Sequence, residues 1–494
     1  MAAGTQDTVL VATRAGTVRG VARPGSLAFR GIPYAAAPVG ELRFAAPAPH
    51  PGWDGVRDAM ENGPTPSLGP VGDAYSIPEP VVSGSEVLNL NVFTPDTAAR
   101  LPVYVWVHGG SYVGGSPGGP WFDGATFNAS GVVVVTITYR LGFEGYGDVP
   151  GAPSNRALRD MIAALEWVQE NIGDFGGDPG RVTLGGQSAG AGAVLALLAA
   201  PRATGLFHRA VSHSAPLPDI DVATAQRVGR DLASACGVEH TLDGWRGVPR
   251  TDVVAAERAT GSADLFAALA NLYRMLSGEE PVTTFGPVLD GDLLPEDSQD
   301  LLQGNPGIPL MLGATSHEFN RVTAPIERYL ARGVGAAVLM GLGVPPALAR
   351  AYPRAFPDWN PAELLGQAVT DRVFRIPAVK VSTARAASPA SHTWLWDFRW
   401  RSPVSGRAVH CVDLPFAWGR LNAERVQRIA GASPPETLQR EVHSAIARFV
   451  NGGHPGWQPF GPEQPTARVW DTPAWTGRDP FRFERIALEV LSGS

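Results

Sequence analysis

Gly186-Gln187-Ser188-Ala189-Gly190 sets a serine between two glycines in the pattern G-x-S-x-G. A serine hydroxyl is a weak nucleophile, and it needs a base within hydrogen-bond reach and an acid to orient that base. The glycines have a steric reason. A nucleophile on a very sharp strand-to-helix turn sits in strained backbone, where neighbouring side chains would collide, and its Oγ projects above the sheet near a helix N-terminus. That chemistry is acyl transfer. A second cluster, His108-Gly109-Gly110-Ser111-Tyr112, ends an apolar run. Glycines there let backbone N–H groups approach a developing oxyanion, and each such donor contributes about 2.7–4 kcal/mol to the transition state. Each cluster alone could be a plain glycine turn. Together they predict an oxyanion hole made by the N–H groups of Gly109, Gly110 and Ala189 beside Ser188.

The residues alone leave the base open. Eight histidines follow the elbow, from His208 to His454, and position does not choose among them. His317-Glu318-Phe319-Asn320-Arg321 begins like H-E-x-x-H but lacks the second histidine, so it is no zinc-protease motif. There is no G-x-x-x-x-G-K loop and no convincing dinucleotide fingerprint. No metal and no cofactor are expected.

These residues need a scaffold. Leu101–His108 reads as a buried strand running into a glycine loop, and the β-branched run Gly131–Tyr139 as another. Asn155–Ile172 has helical spacing, Arg181–Leu184 is a strand, and Ala191–Ala200 is a helix. Strand, helix, strand, helix predicts an α/β fold with a mostly parallel sheet and helices on both faces. Residues 219–285 and 325–390 read as helical excursions covering the site, and Ser391–Trp400 returns to strand. Residues 63–84 form a long Pro/Gly/Ser loop, a candidate active-site lid. No repeat or linker divides residues 1–494, so one domain is expected.

Composition narrows the partners. The chain has 494 residues, 44% hydrophobic and 18% charged, with net charge −7. There is no basic stripe for nucleic acid, and no apolar run is long enough for a bilayer. Lys380 is the only lysine, so Schiff-base or P-loop chemistry has one candidate at most. Two cysteines, Cys236 and Cys411, make neither a disulfide framework nor a zinc site. The first twenty residues lack a signal-peptide pattern. A cytoplasmic monomer acting on a small-molecule ester is expected, with no nucleic acid or membrane partner.

Longer motifs carry a family resemblance. Phe29–Ala35 (FRGIPYA), Pro38–Phe44 (PVGELRF), Leu88–Val92 (LNLNV), Tyr139–Gly142 (YRLG) and Phe175–Pro179 (FGGDP) resemble the type-B carboxylesterase family, the carboxylesterase/cholinesterase-like α/β-hydrolases. The nearest types are bacterial para-nitrobenzyl-esterase-like enzymes and the carbamate hydrolases related to them. The resemblance implies Glu318 as the acid, at the end of Gly313-Ala314-Thr315-Ser316-His317-Glu318. It implies His410 as the base, in His410-Cys411-Val412-Asp413-Leu414-Pro415-Phe416. Asp413 is the rival acid, but a residue three along cannot easily lie behind the same imidazole. The resemblance further implies that Ser214 supports the acid and that Arg140 and Asp160 form a structural ion pair. Tyr112, Phe319 and Phe416 adjoin site residues and are pocket candidates, with packing as the alternative.

The chain differs from the family's usual pattern. Gln187 stands where the elbow usually has Glu, and Cys411 follows the base; both features are shared with the carbamate-hydrolysing relatives. Val87 replaces the usual second-signature cysteine. The 63–84 loop has no Trp, and its only aromatic is Tyr75, which argues against a choline-ester specialist. The expected activity is serine-dependent hydrolysis of carboxylic esters with small to medium acyl or aryl groups. The rivals are an aryl-carbamate or anilide hydrolase, and a non-catalytic binding protein on the same scaffold. Proteins of the last kind lose a triad position, and here all three are present. A neutral His410 is needed, so the rate is expected to fall as pH drops through about 6.5.

Overall fold

The computed structural model describes residues 7–67, 69, 77–259, 265–320, 323 and 334–493. The strands are β1 (Thr8–Thr13), β2 (Gly16–Arg23), β3 (Ser26–Pro33), β4 (Val56–Asp58), β5 (Asn89–Thr94), β6 (Leu101–Val107), β7 (Val133–Ile137) and β8 (Gly177–Gln187). They continue with β9 (Arg209–His213), β10 (Ile220–Asp221), β11 (Val288–Leu289), β12 (Leu310–Thr315), β13 (Thr393–Phe398), β14 (Ala467–Trp470) and β15 (Trp475–Gly477). Among the described residues the main sheet runs β1-β2-β3-β5-β7-β6-β8-β9-β12-β13-β14-β15, with β4 beside β2. From β7 through β14 every neighbouring pair is parallel. The outer pairs β1-β2, β2-β3, β3-β5, β5-β7 and β14-β15 are antiparallel.

Side chains alternate across a strand, and β6 uses both faces. Val103, Val105 and Val107 enter one core with the helices Arg156–Asn171 and Ala189–Ala199. Tyr104 and Trp106 enter the other with the helix Glu436–Val450. Burial on both sides explains why β6 and β7 read as unbroken apolar runs. The chain passes from β6 out to β7 and then back across to β8. The β6–β8 crevice is therefore where the strand order reverses, and ligands of such sheets bind at that point, beyond the carboxyl ends of the strands.

The predicted central elements are present with shifted ends: β7 and β13 are two residues shorter at each end than the runs that announce them. The strand predicted at Arg181–Leu184 runs from Gly177 to Gln187, because Gly177 pairs with Leu101 in a stretch with no apolar alternation to announce it. The helix predicted from Ala191 starts at Ala189, directly after the serine. The first excursion holds helices Val222–Cys236, Leu242–Arg246, Arg250–Ala259 and Leu265–Ser277. The second holds Gly335–Gly341, Pro346–Ala355, Pro361–Thr370 and Ile376–Ala386, while its residues 325–333 lie outside the described residues. A third core joins both excursions through Leu272, Leu276, Leu365 and Phe374. In the 63–84 loop, residues 68 and 70–76, Tyr75 among them, lie outside the described residues. Its base is pinched: Thr65 N–H donates to Val82 O at 2.9 Å, and Val82 N–H to Thr65 Oγ1 at 3.1 Å. Among the described residues no helix is long and apolar enough to cross a membrane.

Two buried guanidinium groups tie the layers together. Arg140 makes a two-pronged pair with Asp160, Nε to Oδ2 at 2.9 Å and Nη2 to Oδ1 at 2.7 Å. This is the scaffold role expected of it. Arg375 holds Asp397 at 2.7 Å and Glu484 at 2.5 Å, and also reaches Thr315 O at 3.3 Å. It closes the single π turn Asp371–Arg375 between two excursion helices, so one cation fixes the excursion to β12 and β13. Arg140→Met would leave the buried Asp160 carboxylate uncompensated. Urea unfolding is expected to show a loss of about 3–5 kcal/mol, with kcat per folded molecule unchanged.

Candidate active site

Ser188 has φ 55° and ψ −125°, a sparsely populated conformation for a residue with a side chain. The surroundings hold it there. Its N–H donates to His213 O at 2.8 Å, and its carbonyl accepts from Gly192 N–H at 2.9 Å. A Cβ on Gly186 would lie 2.5 Å from Gly190 O, and one on Gly190 would lie 2.2 Å from Val107 O. Both glycines of the motif are thus required by backbone, as the sequence argument anticipates.

The β6 loop lies directly on the elbow. A Cβ on Gly109 would meet Gln187 Oε1 at 2.5 Å and Ser188 Cβ at 3.1 Å. Gly110 has φ +119°, and a Cβ there would meet Gly114 O at 2.2 Å. His108 stacks on Tyr139, with ring centroids 4.5 Å apart, and Tyr139 Oη donates to His108 O at 2.7 Å. Burial lowers the His108 pKa to about 4, so its imidazole is neutral and structural. The N–H groups of Gly109 and Gly110 donate to no acceptor among the described residues. Ala189 opens a helix, where the N–H has no intrahelical partner. All three donors expected of the oxyanion hole are therefore free beside Ser188.

His410 reaches the site from the loop after β13. Its Nδ1 lies 2.5 Å from Glu318 Oε2, and its own N–H donates to Glu318 O at 3.1 Å. The other carboxylate oxygen of Glu318 accepts from Thr315 N–H at 2.6 Å. Phe319 and Phe374 face the imidazole, with centroids 5.2 and 5.0 Å away. Burial opposes the charged imidazolium, but the Glu318 carboxylate against Nδ1 outweighs it and lifts the His410 pKa above its ordinary value. Cys411, fully enclosed, is itself held above the usual thiol pKa by burial. Asp413 is occupied elsewhere: its Oδ2 lies 2.8 Å from Nδ1 of His213. Of the two candidate acids, Glu318 is the one in contact with His410.

Three expectations meet a different arrangement. Ser214 makes no hydrogen bond to Glu318. Its Oγ is buried without a partner among the described residues, and Thr315 N–H supplies the donor instead. Phe416 is fully buried against Phe398 and Trp400, at 5.4 and 5.1 Å, and lines neither cavity at Ser188. The side chain at 410–416 that faces the site beside the base is Cys411 rather than this ring, because a short helix at Leu414–Ala417 turns the chain into the core. Finally, Ser188 Oγ makes no hydrogen bond to His410. Gln187 Nε2 lies 3.0 Å from His410 Nε2 and donates to Cys411 Sγ at 3.1 Å.

Two cavities meet at Ser188. One, of about 10 Å³, is lined by Gly109, Gly110, Ser188, His410, Cys411 and, from the 63–84 loop, Ile77 and Glu79. Burial lifts the Glu79 pKa to about 7. The other, of about 240 Å³, is apolar and lined by Tyr112, Ala189, Met275, Phe285, Phe319 and Phe374 among others. Tyr112 and Phe319 both line this second cavity. Sequence reading missed Phe374, Phe285 and Met275, whose facing depends on how the excursions fold back. It also missed Glu79, a lone acid between prolines with no pattern around it. The second cavity adjoins a larger one of about 680 Å³, sharing Val113 and Thr283–Phe285. Among the described residues no cluster of three His, Cys, Asp or Glu side chains could hold a metal.

The chain is similar to known proteins in sequence and in fold. The sequence model of the carboxylesterase family matches residues 7–330. The chain is 33% identical to para-nitrobenzyl esterase of Bacillus subtilis (strain 168), over 98% of this chain and 99% of that protein. It is 30% identical to phenmedipham hydrolase of Pseudarthrobacter oxydans, over 97% and 98%. It is also similar to the crystal structure of a Geobacillus stearothermophilus carboxylesterase, with TM-score 0.82 and 30% identity over 97% of this chain and 99% of that one.

The wall of the larger cavity at Ser188 is also tightly packed. A Cβ on Gly192 would lie 2.3 Å from Tyr112 Oη and 2.8 Å from Pro216 O. Gly192→Ala is therefore expected to lower stability by about 1–3 kcal/mol through overpacking, read as a lower urea midpoint with unchanged slope.

Proposed function

The chain belongs to the carboxylesterase family, is an α/β-hydrolase that cleaves carboxylic esters, and we propose that it does so through an acyl-enzyme formed at Ser188, within one hydrolase domain. His410 removes the Ser188 proton as Oγ attacks the ester carbonyl. The N–H groups of Gly109, Gly110 and Ala189 hold the oxyanion. His410 then protonates the leaving alcohol, and the same residue activates water to release the acid. Glu318 fixes the imidazole with its proton on Nδ1, leaving Nε2 as the base. One observation carries this reading: Ser188, the two glycines and His410 line a single cavity, with Nδ1 of His410 already taken by Glu318.

Substrate size follows from the apolar cavity of about 240 Å³, which suits a small to medium acyl or aryl group. A second reading, carbamate hydrolysis, is favoured by the Gln187 and Cys411 contacts around His410 and by the likeness to phenmedipham hydrolase, a carbamate hydrolase. The free thiols of Cys236 and Cys411 support a reducing, cytoplasmic setting, and the working unit is taken as a monomer.

Ser188→Ala is expected to lower kcat on p-nitrophenyl butyrate by about 10⁴-fold or more, and undiminished turnover would remove Ser188 as nucleophile. The ratio of rates on that ester and a matched p-nitrophenyl carbamate ranks the two substrate readings. The pH profile is a separate test. His410 must be neutral to accept a proton, and its pKa is raised. The acid limb of kcat/KM therefore lies above the ordinary histidine value of about 6.5 rather than at it. A flat profile from pH 5 to 8 would exclude His410 as the base.

A further inference from the structure

His410 Nε2 is the atom that must take the Ser188 proton, yet in the resting structure a different group occupies it. Gln187 Nε2 lies 3.0 Å away, and its second N–H points to Cys411 Sγ at 3.1 Å. The carbonyl end of the same side chain lies over Gly109, 2.5 Å from where a Cβ would stand. The carboxamide thus sits between the oxyanion loop and the base. We infer that Gln187 is a positioning residue for the base: its carboxamide, not the Ser188 hydroxyl, holds His410 Nε2 at rest, and it turns over to accept from that nitrogen once the imidazole is protonated. This rests on the reading of His410 as the base.

Proton bookkeeping supports the two-faced role. With Nδ1–H given to Glu318, a neutral imidazole has only a lone pair at Nε2, so its partner must donate. After His410 takes the Ser188 proton, Nε2 carries N–H and its partner must accept. A carboxamide has both a donor and an acceptor end, and half a turn about its last torsion exchanges them. A carboxylate can only accept, and a thioether of similar size does neither well. The other groups facing the imidazole do not serve both states at Nε2. Glu318 is committed to Nδ1, Phe319 and Phe374 are apolar rings without a donor or acceptor, and Asp413 is paired with His213. Cys411 and Glu79 share the cavity, with His108 neutral at its edge.

The test uses the full chain with Gln187→Glu and Gln187→Met. In a Ser188→Ala background, where no turnover interferes, the His410 imidazole is titrated by NMR. In the parent background, kcat/KM is measured against pH on p-nitrophenyl butyrate. Gln187→Glu is expected to raise both the His410 pKa and the acid limb by about 1–3 pH units, the effect of an opposite charge in contact. Gln187→Met is expected to keep the limb within about half a unit while kcat falls about tenfold and KM stays within about twofold, for loss of one hydrogen bond to a charged partner. An unmoved titration and limb in Gln187→Glu overturn the inference. If that variant does not fold, an unchanged kcat in Gln187→Met overturns it instead. Turnover by Ser188→Ala would sink the triad reading and leave the NMR titration to decide the contact alone.

Discussion

Ser188 can hold its strained backbone only because the chain around it has no freedom to relax. Its N–H is tied to β9 through His213 O, and its carbonyl to Gly192. Gly186 and Gly190 touch backbone so closely that no larger residue fits. The β6 loop then seats on the elbow through Gly109, and Gly109 and Gly110 line one cavity with Ser188. The active geometry depends on close contacts between backbones more than on any one side-chain interaction. His213 joins two of its parts: its carbonyl accepts from Ser188 N–H, and its imidazole pairs with Asp413, three residues past His410.

Charge is distributed unevenly over this frame. The buried guanidinium groups of Arg140 and Arg375 sit in the scaffold, each fully paired with carboxylates. No arginine or lysine is among the described residues lining the two cavities that meet at Ser188. An oxyanion formed there would meet fixed backbone dipoles, which need no reorganisation as charge develops. Arg375 acts at a distance: by pinning the π turn to Thr315 O, it holds Phe374 against the imidazole and steadies the segment whose N–H binds Glu318.

The parts legible in the sequence are those that backbone sterics dictate. G-x-S-x-G and the His-Gly-Gly loop announce themselves because any Cβ would collide, and the central strands because both faces are buried. Glu318 and His410 were legible only through motif resemblance, since eight histidines fit the fold's chain order equally well. What stayed hidden depends on long-range placement. Ser214 and Phe416 adjoin site residues in sequence, but their side chains settle into the interior. Thr315 supports the acid through its N–H, which any residue type would provide. The contact between Gln187 and His410 joins side chains 223 positions apart, and no local pattern signals it.

The walls around Ser188 come from two sources that differ in tolerance to change. The sheet-end residues, Gly109, Gly110, Gly186 and Gly190, are fixed by contact with backbone. Met275, Val282, Phe285, Val373 and Phe374 belong to the excursions, and they line the apolar cavity. Side-chain exchanges there alter the shape of the cavity without touching the elbow or the oxyanion loop. Evolution of new substrate ranges, in nature or in a directed library, can proceed through Met275, Val282, Phe285 and Val373, whereas Phe374 packs on the His410 ring and is tied to the base.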